Sequence, residues 1–338
     1  MATLITSDAA LQDFVNANNL FTASFYKETV KNNEPNFLMS PYSAETVLTF
    51  VQSGCKGETA QEIRNSLHLP ADNDKVESAV KESLAVLKGN DKYTLHTANK
   101  MYVKEGFQIN EGFKNTATDV YQANIENIDF VLNEQAADTM NSWVESQTNN
   151  KIKNLISPDI LDNNTATVLI NALYFKGNWT NRFVNYTTKE EDFYKTNKDV
   201  VKVDTMHHYR EWFNYCENSV LNAKFLELPF EGEDISMIIV LPNEKEGLAS
   251  LENQIEKVFA PQNFTREFLN VALPKFKVES TLELKNTLKN LLYQNRLLCH
   301  SSNLNLRSSK QIIRLYSTSE PKVSLFLQEE FQHLATEA

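Results

Sequence analysis

The stretch TATVLINALYFKGNW, residues 165–179, contains a run in which nearly every side chain is apolar, β-branched or aromatic. Such a run predicts a strand that is covered on both faces of a sheet. One carboxamide, Asn171, interrupts it. Because an unpaired buried carboxamide costs roughly 1–3 kcal/mol, we expect Asn171 to hydrogen-bond to a neighbouring element. We therefore interpret this stretch as the central strand of a large sheet, ending near Lys176 and Gly177.

The chain of 338 residues shows no internal boundary. It is longer than the usual span of a single hydrophobic core, about 250–300 residues, so two domains or one large multi-sheet domain both fit its length. Only 8 Gly and 9 Pro occur, and no linker-like, low-complexity or repeated segment divides the sequence. This composition favours one continuous domain over residues 1–338.

Charge and cysteine content argue against several classes of function. The formal net charge of -11 argues against nucleic-acid binding, which needs a basic surface, and leaves a protein partner open. Three cysteines, Cys55, Cys216 and Cys299, are too few and too scattered for a disulfide framework or a zinc site. Because no window approaches the roughly 18 apolar residues of a membrane span, we expect no membrane association, and we expect no metal or other cofactor.

The first residues, MATLITSDAALQDF, lack a basic segment followed by an apolar one, so they predict no export signal. Four glycosylation sequons matter only if the chain is exported; they begin at Asn163, Asn178, Asn185 and Asn263.

Helix signals dominate the first quarter of the chain. Ser7 can cap a first helix, whose apolar face would comprise Leu11, Phe14, Val15, Phe21 and Phe25. Ser40 followed by Pro41 predicts the start of a second helix. Thr59 with Glu62 three residues later predicts a capping box that opens a third.

The remainder mixes strands with helices. Residues 94–104 alternate like a strand, and residues 134–148 form an amphipathic helix whose narrow apolar stripe is typical of a surface position. ISMIIVLP, residues 235–242, is a second almost wholly apolar strand. Because strict βαβ alternation is lacking, the pattern indicates the α+β class with mostly antiparallel sheets.

Motifs that carry chemistry are nearly absent from the sequence. There is no G-x-S-x-G, H-E-x-x-H, G-x-G-x-x-G or paired C-x-x-C pattern. Adjacent His207 and His208 would point to opposite faces of a strand, so they cannot chelate one ion unaided. The pair Glu190 and Glu191 is typical of solvated charge. We therefore predict that the protein is not an enzyme.

Six stretches together resemble the serpin family of serine protease inhibitors. They occur in the family's order and spacing up to about residue 291: FLMSPYSAETVLTFVQSGCKGETAQEI, ANKMYV, NSWVESQTNNKIKNL, VLINALYFKGNW, LELPFEGEDISMIIVLP and LPKFKVESTLELKNTLKNL. The sequence is similar to insect members. The resemblance implies an α+β fold in a single serpin-like domain, with three mostly antiparallel β-sheets and eight to nine helices.

The resemblance also implies an inhibitor of serine endopeptidases, with cysteine proteases as an alternative target, that acts as a suicide substrate. In serpins the target protease cuts an exposed reactive-centre loop, which then inserts as a new strand into the large sheet and distorts the acyl-enzyme. That sheet must part and reclose. The family further implies a monomer in the extracellular space; because no signal is visible, an intracellular location is the alternative.

Six residues match two functional regions of the family. The shutter, where small hydroxyl groups exchange hydrogen bonds as strands separate, is matched by Ser40, Ser43 and Asn171. The breach, where the loop first inserts and a basic residue pairs with a hinge glutamate, is matched by Gly177, Trp179 and Lys275. The same residues are equally compatible with a purely structural role in the core and turns.

The resemblance ends near Leu291, and residues 292–338 form a divergent tail. Glu329 and Glu330 fall about where the hinge glutamates of the family lie, but the small residues that should follow are replaced by Phe331, Gln332 and His333. Bulky side chains there would resist insertion into a closing sheet. The reactive bond has no counterpart in this chain, so we expect this form to be inactive as an inhibitor. The alternative is a non-inhibitory serpin-like binding protein.

Overall fold

The computed structural model describes residues 9–31, 36–196, 198–278, 280, 282 and 284–294, together with the backbone of residues 322–332. Helices and strands are mixed in this part of the chain, as the predicted α+β class requires. The helix cap predicted at Ser7, and Cys299, lie outside the described residues.

Of the helices in the described residues, four precede the first strand: α1 (Ala9–Thr29), α2 (Pro41–Gly54), α3 (Gly57–Ser66) and α4 (Asn73–Val86). Ser40 caps α2, since its hydroxyl oxygen accepts the backbone N–H of Ser43 at 3.1 Å, as predicted from the Ser-Pro pair. The capping box predicted at Thr59 and Glu62 is wrong. α3 already begins at Gly57, whose φ of +62° allows a sharp turn directly after α2.

A four-stranded sheet, here called the central sheet, contains the stretch quoted first. Its strands in chain order are β1 (Tyr93–Lys104), β2 (Ala123–Ile128), β3 (Thr165–Gly177) and the last of the described strands, β9 (Lys322–Gln332). Their spatial order is β2-β1-β3-β9. β1 runs antiparallel to β3, whereas β2 and β9 run parallel to β1 and β3 respectively. Two helices connect the first three strands: α5 (Glu111–Asp119) and α6 (Asn133–Gln147).

The other strands form an antiparallel assembly: β4 (Lys189–Tyr194), β5 (Val200–Asn218), β6 (Ala223–Pro229), β7 (Ser236–Pro242) and β8 (Thr265–Pro274). β4 pairs with the first part of β5, and β6 pairs with the last part of β5. β8 pairs with β5 on both sides of an irregularity after His208. The described strands thus form two sheets, in which most pairings are antiparallel, and they agree with the expected α+β class. The remaining helices are α7 (Leu248–Glu252), α8 (Ile255–Phe259) and α9 (Lys285–Gln294).

β3 is covered on both faces, which confirms the interpretation of the apolar run. Each of its residues is buried except the half-buried Lys176. Leu169 on one face packs in the same cluster as Ala44 and Val47 of α2. Val168 and Ile170 on the other face pack against α6, which lies on the outside of the sheet as its narrow stripe predicts.

The second apolar run forms β7, as predicted, but this strand is covered less completely than β3. Residues 236–240 are all half-buried, and Leu241 is 59% exposed. Among the described strands β7 pairs only with β6, whereas β3 has a neighbour on each side. Composition alone therefore does not separate a central strand from an edge strand.

Candidate functional site

The polar residue of β3 belongs to a buried chain of hydrogen bonds. Asn171 is fully buried, and its Nδ2 donates to Oδ1 of Asn99 on β1, directly opposite, at 2.8 Å. Nδ2 of Asn99 donates in turn to the backbone carbonyl of Tyr121, between α5 and β2, at 2.9 Å. The predicted bond from Asn171 to a neighbouring element is thus confirmed, and it joins β3 to β1.

One side-chain atom in this series of hydrogen bonds, Oδ1 of Asn171, lacks a hydrogen-bond partner among the described residues. Within the described part of the protein no donor reaches Oδ1 of Asn171. The residue opposite it on β9 is Leu327, a residue type without a side-chain donor. Burying an unpaired acceptor costs about 1–3 kcal/mol. The paired edges of β3 and β9 are here called the seam.

Sequence reasoning assigned no role to Asn99, although a signal for it exists. The alternation of residues 94–104 places Asn99 on the same face of β1 as Leu95, Met101 and Val103, which are all buried apolar residues. An amide on a mostly apolar strand face predicts a buried hydrogen-bond partner.

The other shutter candidates lie at the start of α2. Ser40 is half-buried and caps the helix, and Ser43 is fully buried in its first turn. Ala44, the next residue, packs in the same cluster as Leu169, which shares one face of β3 with Asn171. The structure therefore places the three shutter candidates on the same side of the central sheet.

The breach candidates Gly177 and Trp179 lie at the far end of β3, against the turn that follows β6. The Trp179 side chain is only 8% exposed, and its indole stacks on the ring of Phe230 with centroids 4.4 Å apart. Backbone bonds close the corner, because Thr180 N–H donates to the Pro229 carbonyl at 2.9 Å. The Thr180 hydroxyl also donates to the Phe230 carbonyl, at 2.8 Å. This corner fixes the end of the central sheet to β6.

Close packing at this corner requires glycine at position 177. A Cβ there would lie 2.9 Å from Cζ of Phe175 and 3.1 Å from Cδ1 of Phe230. We expect Gly177→Ala to lower the free energy of unfolding by about 1–3 kcal/mol through overpacking, measured by urea denaturation. Adding Phe175→Leu should recover part of this loss, because it removes the nearest ring atom. A double variant that loses the sum of the two single effects would contradict a steric cause.

Lys275 is held to a different strand. Its backbone N–H donates to the Asp204 carbonyl on β5 at 2.8 Å, directly after β8 ends. Lys275 thus follows the end of β8, whereas Gly177 ends β3 and Trp179 follows it.

The hinge candidates Glu329 and Glu330 lie inside β9, in register with Leu173 and Tyr174. Phe331 and Gln332 continue the pairing to the end of β3. The structure therefore places both candidates within a paired strand, near the breach end of the seam.

His207 and His208 contact different partners, as predicted for opposite faces. His207 Nδ1 lies 3.0 Å from the Thr187 carbonyl, and Nε2 lies 3.1 Å from a carboxylate oxygen of Glu191, which is 44% exposed. His208 Nε2 lies 3.1 Å from the Asn181 carbonyl, and burial holds the pKa of His208 below its usual value. Over the described ranges, no group of three His, Cys, Asp or Glu side chains could hold a metal ion. Nor does any helix in those ranges combine the length and apolarity of a membrane span.

A strand buried on both faces, a parallel neighbour at its seam and a glycine-tryptophan corner are thus brought together in one sheet. A family model described as "Serpin (serine protease inhibitor)" matches residues 16–331. The chain belongs to the serpin family. Alaserpin from Manduca sexta is 37% identical to this serpin over 282 residues, which cover 81% of this chain and 71% of that relative.

Solved structures give the same result. Serpin48, described as a highly specific serpin of the insect Tenebrio molitor, superposes with a TM-score of 0.78 at 51% identity, over 86% of this chain and 78% of that one. Ovalbumin from the emu, Dromaius novaehollandiae, superposes with a TM-score of 0.79 at 28% identity, over 84% and 78% of the two chains. These likenesses confirm the predicted insect-like serpin and its α+β fold. The family is described as one of serine protease inhibitors, and an extracellular location is typical of it.

Proposed function

We propose that this serpin is a suicide-substrate inhibitor of serine endopeptidases, whose cleaved reactive loop becomes a new strand between β3 and β9. The observation that carries the proposal is the parallel register from Thr165 opposite Lys322 to Lys176 opposite Gln332. A segment that follows β9 and folds back beside it runs antiparallel to both strands. Insertion then replaces one parallel pairing by two antiparallel ones, which are slightly more stable per residue.

In this proposal the shutter candidates Ser40 and Ser43 lie beneath the strands that separate, and Asn171 lies on one of those strands. The unpaired Oδ1 of Asn171 offers an acceptor to an incoming strand, and no existing hydrogen bond to that atom has to break first. The bond from Asn171 to Asn99 keeps β3 and β1 together while the seam opens. Separation of the sheet is therefore assigned to the β3–β9 edge.

The breach in this proposal comprises the end of β3 and the residue after β8. Gly177 and Trp179 fix the corner beside which β9 ends, opposite Lys176. Lys275 supplies the positive charge for a hinge carboxylate, and Glu329 and Glu330 are the hinge carboxylates. The partner is the serine protease that cuts the loop, with a cysteine protease as the alternative, and the inhibitor acts as an extracellular monomer, with an intracellular location as the alternative. No catalytic motif supports an enzyme.

The sequence of the tail, residues 292–338, disfavours inhibition. Phe331 and Gln332 lie opposite Phe175 and Lys176, near the point at which an inserting loop has to turn back, and His333 follows them. Large side chains at the hinge oppose close packing between two strands. We therefore propose that residues 292–338 of this chain do not support loop insertion. A non-inhibitory serpin-like binding protein is the second candidate function, which Phe331 and Gln332 favour.

A chimera tests both candidates. Residues 292–338 are replaced by the corresponding C-terminal segment of Serpin48, whose 51% identity favours a compatible interface. The chain as printed and the chimera are each incubated with trypsin, chymotrypsin and elastase. We expect a complex that survives SDS from the chimera with at least one protease, and none from the chain as printed. The matched control is the same chimera with the Phe-Gln-His sequence of residues 331–333 at its hinge, which should lose the complex.

Two outcomes would contradict these assignments. A complex formed by the chain as printed would overturn the proposed inactivity of its tail. A folded chimera that forms no complex with any of the proteases would overturn inhibition by this serpin body and support the binding protein.

A further inference from the structure

The carboxyl group of Glu45 lies inside the helical layer beneath the central sheet. It lies in α2, where every residue from Ser43 to Gln52 is buried, and its own exposed fraction is zero. Its Oε2 accepts a hydrogen bond from Nδ2 of Asn18 on α1. Within the described part of the chain, Oε1 has no hydrogen-bond partner.

The surroundings of Glu45 favour its neutral form. Burial, opposed only in part by the Asn18 amide, raises the pKa of Glu45 to about 8. From α1 the facing group is that uncharged amide, and no charged group of α3, α4, α5 or β3 in the described ranges acts on the carboxyl. The titratable neighbour is Tyr42 on α2 itself, whose hydroxyl bonds to Ser83 of α4 at 3.0 Å. An ionised carboxylate here would be a buried charge without a counter-ion, which a fold tolerates poorly.

The position of α2 connects this carboxyl with the seam. α2 starts after Ser40 and packs against both β3 and β9. Ala44, beside Glu45, lies in the same cluster as Leu169, two residues before Asn171 on the same strand face. A change in how α2 packs against α1 therefore acts directly beneath the two strands of the seam.

We propose that Glu45 is a proton-controlled restraint on α2. The neutral carboxylic acid lets α2 pack against α1 beneath the seam, and loss of its proton loosens this packing and eases separation of β3 from β9. The second half of the proposal rests on the proposed strand insertion; the first half does not.

The test of the restraint is equilibrium unfolding in urea from pH 6 to pH 9. In the unfolded chain Glu45 ionises near its ordinary pKa, so over this range the folded state holds a proton that the unfolded state releases. The contribution of Glu45 to the stability of the natural chain must then fall as pH rises towards 8 and level off above it. Glu45→Gln keeps the shape and removes the titration. We expect its folding constant, relative to that of the natural chain, to rise roughly thirtyfold between pH 6 and pH 8, within the limit of tenfold per pH unit.

Glu105→Gln is the matched control, because Glu105 is an exposed carboxylate in the turn after β1. Its ratio to the natural chain should stay constant with pH. A constant ratio for Glu45→Gln as well would overturn the restraint. If Glu45→Gln fails to fold, Glu45→Met provides the same comparison without a titrating group.

The link to the seam is tested with a twelve-residue peptide of alternating Thr and Ala whose termini are blocked. Its uptake as a strand is measured over time as a gain in the thermal transition temperature of the protein. We expect uptake by the natural chain to be several-fold faster at pH 9 than at pH 6, and uptake by Glu45→Gln to be independent of pH. Equal pH dependence in both would overturn the link. Absence of uptake by both at every pH would overturn the proposed strand insertion, while the unfolding series still decides the restraint.

Discussion

Trp179→Ala is expected to lower the free energy of unfolding by about 3–5 kcal/mol, as for other large buried aromatic side chains. The indole is almost fully buried and stacks on Phe230 with an interplanar angle of 14°. Its removal leaves a cavity at the corner where the central sheet meets β6, and the hydrogen bonds from the Thr180 backbone and hydroxyl prevent that corner from collapsing. Urea denaturation at pH 7 measures the change.

Trp212→Ala is the matched control for this truncation. Trp212 also contacts a phenylalanine ring, that of Phe268, with centroids 5.2 Å apart, but its side chain is 48% exposed. Much of its surface already faces water, so we expect a loss of at most about 1.5 kcal/mol. If the two tryptophan variants lost similar stability, aromatic contact rather than burial would be the source of the Trp179 effect, and the cavity argument would be wrong.

Asn99→Ala is expected to be the second most costly change at the site, with a loss of about 2–4 kcal/mol. It leaves two buried groups without a partner, the Nδ2 of Asn171 and the backbone carbonyl of Tyr121. Asn171→Ala leaves only the Oδ1 of Asn99 unpaired, and it also removes the carbonyl oxygen of Asn171 that has no donor. The predicted shutter residue should therefore cost less, about 1 kcal/mol, than its unpredicted partner.

Asn127→Ala on β2 controls for the loss of an asparagine from a strand. Asn127 is exposed and makes a long bond of 3.5 Å to the Lys104 carbonyl, so its loss should change stability by less than about 0.5 kcal/mol. Chemical denaturation of the three variants gives the order directly. An Asn171→Ala effect larger than that of Asn99→Ala would mean that Asn171 makes a further bond that stabilises the fold.

Local patterns in the sequence predicted the class of fold and the need for a bond at Asn171, but not the identity of the partner. The apolar run around Asn171 predicts that its amide is buried and needs a hydrogen-bond partner, and this need can be recognised from the neighbouring residues alone. Asn99 lies 72 positions earlier, and only the antiparallel register of β1 and β3 brings the two amides together. The capping box at Thr59 failed for a related reason, since the tight turn at Gly57 starts α3 before the cap signal is reached.

Glu45 was missed because a charged residue in a helix is usually taken to face solvent. The composition of α2, in contrast, predicts that the whole helix is buried. Glu45 is the only charged residue of PYSAETVLTFVQSG, and a helix that is apolar or small on every side is buried on every side. The partner on α1, and the absence of a donor to Oε1, depend on how two helices dock, which sequence periodicity does not specify.

The parallel pairing of β3 with β9 has a consequence for how this protein is made. β9 is synthesised roughly 150 residues after β3, and ribosomes add about 5–20 residues per second. One edge of β3, a strand buried along almost its whole length, therefore stays open for on the order of ten seconds or more in each nascent chain. During that interval the open edge can pair with a neighbouring polypeptide. Yield in the cell should therefore depend on chaperones that bind the nascent chain before its last strand arrives.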